Sequence, residues 1–448
     1  VQGLFPFAPS RHRAFHTASV LESGKVLFSG GFNRLRDGEH FVAEGPFFEV
    51  FDPFTGLFER PTIEDEFSGQ EVAMHRAAVL EGHKVIITGG ISEAVFKYEQ
   101  GGEIKLKMEV PFETTYNCDE SACFTFSKSV VVADEGAGTV VESFLPKRLV
   151  VHQSAIVQKG GDPTVVISGG ITFNDETFAP STSDRYIECG VGDILAGEPA
   201  VCAEDDSTSL HAPRYSHASA CLVEEGDLGP CDEYLIFGGV NEGQPPAEVF
   251  SSTREDGFNK PLSFTEVTKL NEVLFPFLAK VEDEPGKPAK LYSFGGVSAD
   301  SVSIQNTESV LTTQFSAPDV MPQQVNVNLG TQNMTTAGFD LKDLEPAGAV
   351  YRLFPSVSVP EAGRIMLVGG LGEDNTPTKK VLFFEEPETH ALTYSGPAKK
   401  AKTARFGHTA TVLKHGLLEG AVLIVGGMKV DKGTGSILFA DDAEIYIP

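Results

Sequence analysis

A short β-prone run ending in Gly-Gly recurs seven times along the chain, and this feature restricts the fold more than any other. The copies are KVLFSGG ending at Gly31, KVIITGG at Gly90, TVVISGG at Gly170, EYLIFGG at Gly239, KLYSFGG at Gly296, RIMLVGG at Gly370 and AVLIVGG at Gly427. Each run is too short for a helix and rich in β-branched and aromatic residues, so each predicts a buried strand. The paired glycines suit a backbone that turns where a side chain would clash.

Upstream of each run lies a second apolar segment, separated by a polar or glycine-containing turn. HTASVLESGKVLFSGG from His16 and HRAAVLEGHKVIITGG from His75 align without a gap. RYSHASACLV (Arg214 to Val223) and RFGHTATVL (Arg405 to Leu413) begin the same hairpin. Downstream, after a loop of variable length, a third strand carries an aromatic residue: FFEVFDPFTGLF from Phe47, AEVFSS from Ala247, KKVLFFEEPETHALTY from Lys379 and AEIYIP from Ala443. Phe58, Phe258 or Tyr394 marks a fourth strand.

This order resembles the kelch repeat: Arg-x-x-His, a hydrophobic strand, Gly-Gly, a Glu-x-Tyr-like strand and an aromatic after an Asp-Pro-x-Thr-Gly-like turn. EVFDPFTGLF (Glu49 to Phe58) matches the second half of that pattern closely. The resemblance covers essentially the whole chain and implies an all-β fold, a seven-bladed kelch-type β-propeller of four-stranded antiparallel blades around a channel, with 1–448 as a single domain. Two departures stand out. The family's closing tryptophan is absent, with Phe, present 33 times, in its place. The Gly-Gly spacings of 59, 80, 69, 57, 74 and 57 also exceed the kelch unit of about 50. The excess falls in loops, where binding surfaces tend to sit. The last copy stops at AEIYIP, a third strand, while LFPFAPSRHR (Leu4 to Arg13) resembles a fourth. The N-terminal strand is therefore expected to complete the C-terminal blade, closing the ring and hiding two edges.

The balance of 63 acidic against 35 basic residues gives a formal charge of −28, which argues against nucleic acid and anionic lipid as partners. No stretch approaches the ~18 apolar residues of a membrane span. The chain opens at Val1 without a basic-then-apolar leader, so any targeting peptide is expected to be cut off or to lie outside the sequence. The six cysteines fall as three local pairs, Cys118 with Cys123, Cys189 with Cys202 and Cys221 with Cys231, each flanking a short, turn-like stretch. Ends that meet across a hairpin come within disulfide reach, whereas the unequal spacings suit no zinc site. Three disulfides are expected, and with them an extracellular, cell-surface or periplasmic setting.

Candidate chemistry is sparse. His16, His75, His152, His217 and His408 share the opening slot of five repeats, with Phe277 and Pro355 in the other two. A feature copied round the chain suits a structural role better than catalysis. Arg13, Arg214, Arg352 and Arg405, three residues earlier, read as ties to backbone carbonyls. If they instead face the channel mouth, they form a positive ring able to draw in an anion. Copper-radical oxidases resemble this chain in fold but need a Tyr-His pair, which is absent. Periplasmic sialic-acid epimerases also share the propeller, usually with six blades. No nucleophile elbow, P-loop, Rossmann signature or HExxH motif occurs, so no catalytic residue is assigned.

Glu204-Asp205-Asp206, Glu373-Asp374 and Asp441-Asp442 are acidic loops that offer Ca²⁺ only a fraction of the six to eight oxygens it takes, so solvated charge is expected there and no cofactor is assigned. One sequon, Asn333-Met334-Thr335, is present. The functional expectation is a non-enzymatic module whose long loops after Gly-Gly present one face to a protein or glycan partner. The alternatives are a carbohydrate-active enzyme working at the channel mouth and a structural subunit of a surface assembly.

Overall fold

In the computed structural model, the structure describes residues 9, 11–45, 47–61, 63, 71–81, 83–100, 104–114, 124–159, 162–173, 180–182, 185–191, 194, 197–224, 230–239, 247–251, 262–263, 273–281, 290–307, 309–328, 333–339, 350–361, 363–385, 393–395, 398–431 and 433–448. Among them the chain is all-β with almost no helix.

Every Gly-Gly run forms the second strand of an antiparallel sheet. In the first repeat, Thr17–Val20, Val26–Ser29, Phe48–Asp52 and Leu57–Glu59 lie side by side in chain order. The second, third, fifth and sixth repeats keep this order, as does the fourth with a two-residue outer strand, Leu262–Ser263. A single parallel bridge, Val157 to Cys231, links the third and fourth. The seventh repeat shows three strands, Thr409–Val412, Val422–Val425 and Ala443–Tyr446. The strand expected to complete it from Leu4 falls mostly outside the described residues.

The Gly-Gly strands read as unbroken apolar runs because both of their faces are covered. Side chains alternate across a strand, and each alternate set packs on a different neighbour. From the first repeat, Val26 and Phe28 join Leu423, Val425 and Ile445 of the seventh, while Leu27 and Val50 join Val85, Ile87 and Val131 of the second. Corresponding apolar clusters join the second to the third repeat, the third to the fourth, and so on to the seventh. Each Leu, Ile, Val or Phe so buried contributes about 1.5–3 kcal/mol.

The backbone links the sheets in the same cyclic order. The second glycine of each pair donates its N–H to a carbonyl of the next repeat: Gly31 to Val72, Gly90 to Leu149, Gly170 to Arg214, Gly239 to Val273, Gly296 to Arg352 and Gly370 to Arg405. Gly427 donates to Arg13, so the seventh repeat meets the first. The first glycine of the pair has no room for a side chain. A Cβ on Gly369 would lie 2.6 Å from the Arg405 carbonyl oxygen and 2.8 Å from the His408 ring, at φ +55°.

Two residues beyond each accepting carbonyl the chain turns sharply through the left-handed region, at Phe15, Met74, Val151, Ser216, Phe275, Phe354 and Gly407. The N–H groups of Phe15, Met74, Ser216, Phe275 and Gly407 each donate to the equivalent carbonyl of the preceding repeat. The residue after each turn occupies the histidine slot. In the fifth repeat it is Pro276, not Phe277: Phe277 begins the strand opposite Phe294, as Thr17 does opposite Ser29, and the Pro276 ring covers Gly238 as His75 covers Gly30.

The loops after Gly-Gly in the first, second and fifth repeats do not stand free. Arg34–Arg36 and His40–Val42 from the first repeat, Glu93–Gln100 and Ile104–Pro111 from the second, and Val302–Asn306 and Val310–Phe315 from the fifth pair into one six-stranded sheet. Its register sets Leu106 opposite Phe315 and Met108 opposite Thr313, across some 200 residues of sequence. One face is apolar and lies on the left-handed residues: Phe15 stacks on Phe96 at 5.6 Å, and Phe315 meets Phe275 and Phe354, each at 5.4 Å. Phe173, Asn375 and Phe439 bring in the third, sixth and seventh repeats. The opposite face carries ion pairs, Lys97 with Glu39 and Glu109, and Lys107 with Glu99 and Glu109.

Cys189 and Cys202 face each other in register on the third and fourth strands of the third repeat and form a disulfide. Cys221 and Cys231 bond across the first hairpin of the fourth repeat. The pair Cys118 and Cys123 lies outside the described residues.

Candidate functional site

The first strands of successive repeats neighbour one another, and Thr17–Val20 neighbours Thr409–Val412. They enclose a cavity of about 470 Å³. The left-handed residues form its floor, under the six-stranded cap. The walls are the strand starts that follow, and the described residues lining it come from these segments alone. Among the described residues floor and cap pack together, with a pocket of about 20 Å³ lined by residues such as Met74, Met108 and Leu311 between them, so the cavity extends from the floor away from the cap.

The five slot histidines are buried, and four are tied to a hydroxyl. His16 Nε2 lies 2.9 Å from Thr409 Oγ1, His75 Nε2 2.9 Å from Thr17 Oγ1, His152 Nε2 2.9 Å from Thr88 Oγ1 and His217 Nε2 3.2 Å from Ser168 Oγ. Burial pushes all five below the ordinary imidazole value, His75 and His152 to about 3, so at neutral pH they are uncharged. They carry the joints between repeats.

The residue after each slot points into the channel wall and reaches forward. Arg76 Nε donates to the His152 carbonyl at 2.9 Å, Gln153 Nε2 to that of His217 at 2.5 Å, and Ser356 Oγ to that of His408 at 2.6 Å. The equivalents elsewhere are Thr17, Ala218, Phe277 and Thr409. No Asp or Glu is among the described residues lining the cavity. Arg76 is thus its charged member.

Arg13, Arg214, Arg352 and Arg405 do not line the channel. All four are buried within the repeats. Arg214 donates from Nη1 to the Gly238 carbonyl (2.8 Å) and from Nε and Nη2 to Glu248 Oε1 at 2.9 and 2.6 Å. Arg13 likewise donates from Nη1 to the Gly30 carbonyl and from Nε to Glu49, and Arg405 from Nη1 to the Gly426 carbonyl and from Nη2 to Glu444. The Glu-x-aromatic motif of the third strand therefore serves the arginine of its own repeat. Burial pushes the Glu248 carboxyl up, but the hydrogen bonds from His211 and the charge of Arg214 outweigh it and hold Glu248 below the usual carboxylate range. The sixth repeat has Leu382 where that glutamate would stand, facing Leu367. Among the described residues Arg352 makes one hydrogen bond, to the Tyr351 carbonyl, and its buried Nε and Nη2 atoms have no partner. Burial lowers its pKa to about 10, against the pull of Glu373 and Asp374.

The acidic loops are engaged locally: Glu204 with Lys147, Asp441 with Lys429, Asp442 with Arg405, and Asp374 with Thr376. Among the described residues no three His, Cys, Asp or Glu side chains stand close enough to hold a metal ion. Among the same residues no helix is long and apolar enough to cross a membrane.

No family model matches the chain, and no curated protein matches it. Solved structures do. A fungal alcohol oxidase of the AA5 family, in complex with copper, is 14% identical with a TM-score of 0.53, the match covering 100% of this chain and 76% of the oxidase. The structure of YjhT is 9% identical with a TM-score of 0.42, covering 98% of this chain and 99% of the other. At these identities the first likeness is one of fold.

Proposed function

We propose that the chain is a seven-bladed kelch-type β-propeller, working outside the cytoplasm, that binds a small polar solute in its one-ended channel without catalysing a reaction. The observation that carries this reading is the cavity of about 470 Å³, floored largely by apolar residues and carrying hydroxyl, amide and guanidinium groups on its walls. A concave site with a few convergent polar groups is the usual form of a ligand pocket. The cyclic order of the joints, with Gly427 bonded to Arg13, supports the ring. The two disulfides support the compartment.

The loops favoured by length as the partner surface are drawn into the cap, which moves the site to the opposite end of the channel. Among the described residues no donor set fits the copper of the AA5 oxidase: the slot histidines are spread round the joints, four of them with Nε2 on a hydroxyl, so no step through copper is derived.

The test is to narrow the channel at lining residues outside the apolar clusters that join the repeats. Ser154→Phe and Thr411→Phe place bulk on the lining, and binding of glucose and of glucuronate to each is measured by calorimetry beside the wild type. Saturable binding by the wild type, lost in the filled variants at unchanged melting temperature, supports the reading. Absence of binding by the wild type, or undiminished binding by the filled variants, refutes it.

A further inference from the structure

We propose that the channel grips its ligand by an oxyanion group, a carboxylate or a phosphate, held on Arg76. This rests on the channel being the binding site and adds the charge of what enters it.

The placement of Arg76 carries the inference. Its Nε is fixed on the His152 carbonyl at 2.9 Å, which orients the guanidinium, while among the described residues it makes no ion pair. The buried arginines Arg13, Arg214 and Arg405 each have a carboxylate supplied by their own repeat. Among the described residues Arg76 has none, and those that surround it in the cavity lining include no carboxylate. The protein carries 63 acidic residues, so a shortage of carboxylates does not explain a cation facing a space without one.

A guanidinium presents two parallel N–H donors at the spacing of two oxygens on one carbon or phosphorus, and such charge-assisted bonds are about twice as strong as neutral ones. Partial burial strengthens the attraction and raises the cost of leaving the cation unpaired. Thr17, Gln153, Ser154 and Ser219 line the same cavity and add uncharged donors and acceptors for the rest of a polar solute. The slot histidines, neutral through burial, do not compete for the anion.

The experiment is calorimetric titration of the full chain at neutral pH with sodium glucuronate, inorganic phosphate and glucose, repeated on Arg76→Gln and Arg76→Lys. The expected result is that glucuronate and phosphate bind about tenfold or more tighter than glucose, and that Arg76→Gln loses that advantage while keeping the affinity for glucose. Arg76→Lys keeps phosphate binding within a few fold but weakens glucuronate, since a point charge lacks the fork. If Arg76→Gln fails to fold, the Arg76→Lys pattern decides. Glucose binding as tightly as glucuronate to the wild type, or anion affinity unchanged in Arg76→Gln or in Arg76→Lys for glucuronate, overturns this inference and leaves the channel reading standing. Failure of all three solutes to bind the wild type overturns both.

Discussion

Arg214 and Arg352 occupy equivalent places, yet removing them should have opposite effects. Arg214→Met strands Glu248, which is 0% exposed, and should cost about 3–5 kcal/mol. Arg352→Met removes a buried cation whose Nε and Nη2 have no partner, and should stabilise by about 1–3 kcal/mol. Urea unfolding of the two variants beside the wild type checks the pair; destabilisation by both would mean that Arg352 is satisfied.

The slot histidines also set a pH dependence. Their folded pKa values lie below the unfolded value of 6.5, so above that pH both states are neutral and the term vanishes. Between pH 6.5 and about 3 the unfolded chain takes up protons that His75 and His152 refuse, and stability falls by up to about 1.4 kcal/mol per pH unit for each. Glu71, raised to about 7 by burial and by Glu44, acts the other way, since its unfolded form ionises first as pH rises above 4.5. One carboxyl does not offset five histidines, so the melting temperature should drop steadily on acidification from pH 6.5 to 4. A flat profile would show that the histidines protonate freely in the native state.

At the scale of elements, the cap depends on contacts that no local pattern announces. Phe315 sits against both Phe275 and Phe354, and Phe315→Ala should cost about 3–5 kcal/mol by opening a cavity under the sheet. Hydrogen exchange should quicken in 104–111 and 310–315 before it does in the Gly-Gly strands; uniform loss of protection would deny the cap a separate stability. Reducing Cys189–Cys202 and Cys221–Cys231, which close loops of 13 and 10 residues, should cost about 2–3 kcal/mol each, read as a lower melting temperature in reductant.

The Gly-Gly strands were legible in the sequence because burial on both faces writes an unbroken apolar run. The cap was not, because Ile104–Pro111 alternates polar and apolar residues like any surface hairpin, and its partner Val310–Phe315 lies far along the chain. Sequence registered both the Arg-x-x-His start and the Glu-x-aromatic strand but not that one pairs with the other. Arg76 carries no repeat signal, because the position after the histidine slot changes residue type from repeat to repeat. Reading that column down the repeats gives Thr, Arg, Gln, Ala, Phe, Ser and Thr, in which Arg76 is the lone ionisable residue.

For the whole molecule, the charge of −28 is spread over a compact chain and repels itself. Raising salt from low to about 0.15 M shortens the Debye length to about 8 Å and should raise the melting temperature. The same repulsion keeps anions away from the channel mouth, so salt should speed their entry while weakening the grip of Arg76. Stopped-flow association rates at two salt concentrations separate these effects; slower entry at higher salt would contradict the sign.

The tangential hydrogen bonds around the channel floor have one more consequence. The five hydrogen bonds that link left-handed residues of successive repeats run across the channel axis in the proposed ring, so the backbone there contributes little net moment along the channel. A helix end concentrates partial charge at a point, whereas this arrangement turns its polarity sideways and spends it within the wall. The axial field is then set by side chains, and a single exchange at Arg76 would change the sign of what the interior prefers without disturbing the scaffold that surrounds it.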